Sequence, residues 1–82
     1  EAPPFLYPNP AGSELFVQLR QDHPSIRIEI FDMGGRKLLD VTSNGERGQI
    51  IYLLVDALAE GIYTARITSA ADQWIRRFMK IR

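Results

Sequence analysis

Short runs of alternating apolar and polar residues recur about every ten residues along this chain, and no window sustains a helical period. A two-residue period sends successive side chains to opposite sides of an extended backbone. A chain made only of such runs buries its apolar side chains by facing one sheet against another. In Glu14 to Arg20, Leu15, Val17 and Leu19 oppose Glu14, Gln18 and Arg20, with Phe16 as the exception. Ile26, Ile28 and Ile30 oppose Arg27, Glu29 and Phe31, and Tyr63, Ala65 and Ile67 oppose Thr64, Arg66 and Thr68. With Lys37 to Thr42, Ile50 to Val55 and Trp74 to Arg82, these make six strands, and Phe5 to Tyr7 is a candidate seventh. The pattern predicts an all-β fold, an immunoglobulin-like antiparallel β-sandwich of about seven strands.

The punctuation between runs agrees. Pro3, Pro4, Pro8 and Pro10 each remove a backbone donor, so residues 1–10 read as a proline-rich lead-in that holds at most an edge strand, with the sandwich over 11–82. Asp22-His23-Pro24-Ser25 reads as a turn, Gly34-Gly35 as a tight hairpin and Asn44-Gly45 as the next such signal. Asp32 is placed to accept backbone hydrogen bonds across the turn to Arg36, whose guanidinium can pair with a nearby carboxylate. Leu58-x-x-Gly61-x-Tyr63 suits a tyrosine whose hydroxyl bonds back to the preceding turn.

Composition excludes more than it suggests. A chain of 82 residues has room for one domain, and that domain buries only about 60–65% of the surface exposed on unfolding. Ten cationic and ten anionic residues cancel, which removes the overall field a nucleic-acid-binding domain relies on. There are no cysteines, hence no disulfides and no thiolate metal sites. The longest apolar run, Ile50 to Val55, is too short to cross a membrane. The chain opens without an export signal, so if the protein is exported that signal is expected upstream of this sequence.

Catalytic chemistry finds no purchase. His23 is the single histidine and sits in the expected turn, read as exposed; a serine relay would need it oriented by a third group. Gly34-Gly35 lacks the spacing of a phosphate cradle, and Asp32, Asp40 and Asp56 lack that of a calcium loop, so neither an enzyme nor a cofactor is expected.

Two regions remain unexplained by packing. In the last run, Trp74, Arg76, Phe78, Lys80 and Arg82 share one side and Ile75, Arg77, Met79 and Ile81 the other, so neither side is an evident core face unless a bulge near Arg76-Arg77 shifts the phase. Two readings fit: a solvated edge whose cations block aggregation, or an address read by a partner through charge and apolar anchors. Ile50, Tyr52 and Leu54, with Phe16 and Phe31 as possible members, form an apolar set that is either a thicker core, covered by the lead-in, or an interface with a preceding domain or a second copy.

Tyr7-Pro8-Asn9-Pro10, Asp32-Met33-Gly34-Gly35-Arg36, Leu58-Ala59-Glu60-Gly61-Ile62-Tyr63 and the terminal Phe78-Met79-Lys80-Ile81-Arg82 come in that order over nearly the whole chain. Together they resemble the C-terminal sorting domain, type A, of cargo of the type IX (Por) secretion system of Bacteroidota. Leu54 departs from that pattern, in which a polar residue, often aspartate, is expected. The resemblance implies a non-enzymatic signal at the end of a larger exported protein, passing from periplasm to outer-membrane surface or medium. It implies structural roles for Pro8, Asn9, Pro10, Asp32, Gly35, Arg36, Leu58, Gly61 and Tyr63. Recognition by the translocon and a sortase-like protease would fall on the terminal strand, at Arg76, Phe78, Lys80, Ile81 and Arg82. In such families the domain is either retained or removed at the surface with transfer of the cargo to anionic lipopolysaccharide, and a cut here would fall before or within Glu1 to Pro4. The alternative is an immunoglobulin-like accessory module that binds a glycan or partner protein through Trp74, Tyr52 or Phe31.

Overall fold

The computed structural model describes residues 2–82, so the Glu1 end of the lead-in lies outside the described residues. Seven strands follow one another: β1 (Phe5–Tyr7), β2 (Glu14–Gln18), β3 (His23–Phe31), β4 (Lys37–Gly45), β5 (Ile50–Leu54), β6 (Gly61–Thr68) and β7 (Gln73–Lys80). They form two antiparallel sheets, one ordered β1-β2-β5 and one ordered β4-β3-β6-β7. The fold is the all-β sandwich its alternation dictates. Its fourth strand stays beside β3 in the larger sheet, where a constant-type immunoglobulin domain carries it across to the other.

The core fills from both inner faces. Leu15, Val17, Ile51 and Leu53 come from the smaller sheet, and Ile26, Ile28, Ile30, Tyr63, Ala65, Ile67 and Phe78 from the larger. Each fully buried Leu, Ile or Phe contributes about 1.5–3 kcal/mol relative to exposure. The β-branched run Ile26, Ile28, Ile30 has no accessible surface at all. Apolar residues of β5 that point the other way, Tyr52 and Leu54, stay outside at 65% and 69% exposure.

Two local expectations are corrected, and one alternative left open is settled. His23 is not an exposed turn residue: it opens β3 opposite Gly45, is 8% exposed, and meets Trp74 edge-on at 5.7 Å. Asn44-Gly45 is not a hairpin turn, because the chain crosses here from one sheet to the other and β4 continues through Gly45. A Cβ on Gly45 would lie 3.0 Å from both the His23 carbonyl oxygen and Leu19 Cδ1, so this glycine serves close packing. The turn itself falls later, around Glu46 to Gln49, where Gln49 N–H donates to the Glu46 carbonyl at 2.9 Å. Last, β7 has no bulge: it pairs residue by residue with β6 from Gln73↔Thr68 to Lys80↔Gly61.

The hairpin at Gly34-Gly35 forms as expected. Gly35 has φ of +85°, a region in which side chains with a Cβ are strained. Asp32 Oδ1 accepts from Gly34 N–H at 3.0 Å and Arg36 N–H at 2.9 Å, and Arg36 Nε lies 3.2 Å from Asp32 Oδ2. Tyr63 donates its hydroxyl to the Ala59 carbonyl at 2.6 Å, tying the β5–β6 connection to the strand that follows.

Candidate functional site

The larger sheet ends at β7, and the geometry of that edge is set by its pairing with β6. Met79 N–H donates to Asn9 Oδ1 at 3.0 Å, and Met79 C=O accepts from Ala11 N–H at 2.7 Å. Ile81 N–H donates to the Ala11 carbonyl at 2.8 Å. The Asn9 to Ala11 segment therefore lies along the last third of the edge as a short parallel bridge. Because Met79 points its amide away from β6, the two-residue alternation does the same for Arg77 and Ile75. Among the described residues no strand lies beyond them, so the margin from Gln73 to Arg77 is open.

The side chains of β7 sort by the same alternation. Ile75, Met79 and Ile81 are exposed at 51%, 46% and 43%, and Arg77 and Arg82 are exposed with them. Phe78 and Lys80 are not available as grips: they are 1% and 4% exposed, on the inward side. Phe78 stacks on Tyr63 with ring centroids 5.7 Å apart, and Lys80 threads its aliphatic stem inward while Nζ donates to the Ile81 carbonyl at 2.6 Å. Arg76 is half-buried on that side. Arg82 lies outside, 3.5 Å from Glu60. Residues 73–82 contain no Asp or Glu, so the open margin is cationic and apolar.

The outer face of the larger sheet is a closed ionic network. Glu29, 3% exposed, is covered by the arms around it: Arg66 donates to it through Nε at 2.9 Å and Nη2 at 3.1 Å. Arg27 grips Asp40 at 2.9 and 2.6 Å, and Lys37 Nζ reaches Asp40 at 2.8 Å and Glu29 at 3.5 Å. The Arg66 hydrogen bonds, above the other cations and against the opposing effect of burial, hold the Glu29 carboxyl below its ordinary range. Hydrogen bonds from Arg27 and then Lys37 hold Asp40 well below its own. Bonding to Asp40 raises Arg27 and Lys37, and bonding to Glu29 raises Arg66.

Sequence reasoning missed this cluster, although the alternation of Arg27 and Glu29, with Arg66 on another outward phase, was its signal. Phe31 belongs to this face as well and not to the apolar set around Phe16, because it lies in β3 with the Arg66 guanidinium 4.9 Å over its ring.

The outer face of the smaller sheet is of another kind. Tyr7, Phe16 and Tyr52 stand directly opposite one another across β1, β2 and β5. Their ring centroids are 5.4 and 5.1 Å apart, one pair tilted and one edge-on. Ile50 and Leu54 flank Tyr52 on β5, Phe5 lies at one end beneath the Arg20 guanidinium at 4.3 Å, and Glu14 lies at the other.

A cleft of about 380 Å³ opens between Gln21–Pro24 and Ser69–Asp72. His23 Nε2 and Asp72 Oδ2 are buried beside it without partners. Among the described residues no side chain hydrogen-bonds to His23 Nε2, and no three His, Cys, Asp or Glu side chains converge on a metal position. No described helix is long and apolar enough to cross a membrane.

Compared with known families, residues 5–81 match the model of a secretion system C-terminal sorting domain. No curated protein matches the chain.

Proposed function

The chain belongs to the secretion system C-terminal sorting domain family, that of type IX secretion, and from that premise we propose that the open margin of β7 is the address its export machinery reads. The family places the domain within a larger protein bound for the cell surface or the extracellular space, and it is not an enzyme family. What supports the reading is that the outward amides of Ile75 and Arg77 face no strand while those of Met79 and Ile81 are taken by Asn9 and Ala11. A receptor strand adds along Gln73 to Arg77 by main-chain hydrogen bonds. Arg77 and Arg82 favour acidic partner side chains, and Ile75 and Met79 supply apolar contact.

In this reading the translocon engages the folded sandwich during transit from the periplasm, and a sortase-like protease acts upstream of β1, near Pro3-Pro4. Phe78 and Lys80 then contribute by fixing β7 against β6 and the core. Arg76, half-buried, adds to the positive field without gripping.

The test fuses the chain to an exported reporter and measures its surface yield. Arg77→Pro removes an outward amide without touching the β6 ladder, and Arg77→Glu reverses the charge. Both are expected to lower surface delivery at least about tenfold while the domain stays folded by circular dichroism and protease resistance. Full delivery by folded Arg77→Pro would show that the margin is not the address. Deleting residues 78–82 is not informative alone, because it removes Phe78 from the core.

A further inference from the structure

We infer that the aromatic face of the smaller sheet is a self-association surface on which a second copy of this chain docks face to face, independently of how β7 is read. The argument is self-complementarity. Along β2 and just beyond it, Glu14, Phe16, Gln18 and Arg20 project to the outside in the order acid, aromatic, amide, base. Glu14 and Arg20 enter no ion pair among the described residues, whereas every charge at the centre of the opposite outer face is paired within the chain. They stand about 20 Å apart, six residues along an extended chain.

A twofold axis in the plane of the face, crossing β2 at Val17, sets Glu14 of each copy against Arg20 of the other. That is the isologous arrangement in which each contact occurs twice. The same operation lays Tyr7 over the second copy's Phe5, because Tyr7 pairs with Phe16 and Phe5 with Gln18. It lays Tyr52 over the second copy's Ile50 for the same reason on β5. Phe16 falls over the second copy's Gln18, so one symmetry operation sets Tyr7 on an aromatic ring, Tyr52 on an aliphatic side chain, Phe16 on an amide, and Glu14 against Arg20, whose own contact is the Phe5 ring. Three strands about 4.8 Å apart make the face about 14 Å wide, a footprint below that of a standard specific interface, so the dimer is weak and forms at high local concentration.

Sedimentation velocity on the whole chain, from about 10 µM to about 1 mM, reads the proposal. The expected result is a dimer that grows in over that range. Glu14→Arg or Arg20→Glu alone sets like charges together twice and weakens it about tenfold, and the double variant restores it. Both positions are exposed, so these variants keep the fold, which circular dichroism checks. Tyr52→Glu abolishes the dimer. Concentration-dependent amide shifts in NMR fall on β1, β2 and β5. A chain monomeric to about 1 mM, a double variant no better than the singles, or shifts confined to β7 each overturn the proposal, as does a monomer that instead binds a glycan through Tyr52.

Discussion

The two outer faces of the sandwich meet water in opposite ways. At the centre of the larger sheet, Glu29 and Asp40 are gripped by Arg27, Lys37 and Arg66, so polar groups satisfy one another there, while Ile62, Ile75 and Met79 stay exposed toward the β7 edge. On the smaller sheet, Tyr7, Phe16 and Tyr52 pack on one another while Tyr52 and Leu54 remain mostly exposed. The centre of one face is finished within the chain and the centre of the other is half finished. The contrast locates where contact with other molecules gains most from water release.

The largest effect expected from probing this contrast is at the middle of the aromatic row. Phe16→Ala removes ring contacts on both sides at once and should lower stability by about 2 kcal/mol in urea unfolding, with little dependence on salt. A loss that vanishes in molar salt would mean that face is not held by apolar contact.

Acid acts on the other face. Glu29 and Asp40 have folded pKa values below their ordinary ones, so the stability they add is complete above about 4.5, the ordinary value for Glu29, and is lost as pH falls through the carboxylate range. Thermal unfolding below that pH is expected to show the loss, reduced in Glu29→Gln, which starts from a lower stability at neutral pH because one oxygen of the Arg66 grip becomes an amide. An acid profile of Glu29→Gln superimposable on the parent would remove Glu29 from the account.

Smaller still is Tyr7→Phe. Its hydroxyl reaches Gln18 Oε1 at only 3.3 Å, and deleting it should cost less than about 0.5 kcal/mol in the same urea assay while the ring contact with Phe16 persists. Least of all, Leu54→Gln should leave the dilute chain within about 0.5 kcal/mol of the parent, because that side chain is 69% exposed; a larger drop would reveal a packing contact that the exposure does not show.

Much of this was legible along the chain, and the misses share a cause. Ile26, Ile28 and Ile30 identified their own buried side because nothing on the opposite phase competed for it. Asp32 and Tyr63 identified their turns because their bonds reach residues within four positions. In β7 each phase mixes apolar and cationic groups, and the choice between them is made by Tyr63 stacking on Phe78 from β6. Gly45 looked like a turn because Asn-Gly is turn chemistry, yet its lack of a side chain answers to Leu19 and His23, both more than twenty residues away in sequence. Phe31 and Phe16 looked alike as aromatic interruptions, and only the division of strands between sheets separates them.

From its residues alone the chain fixed the strands, the turn staples and the sandwich, because two-residue alternation and local hydrogen bonding act over a few positions. Only the tertiary structure decided that Phe78 and Lys80 point inward, that Glu29 sits under three cations and that Asn9 to Ala11 covers part of the β7 margin. Alternation divides a strand into two sides without saying which one meets the opposing sheet, and that choice rests on contacts between segments distant in sequence.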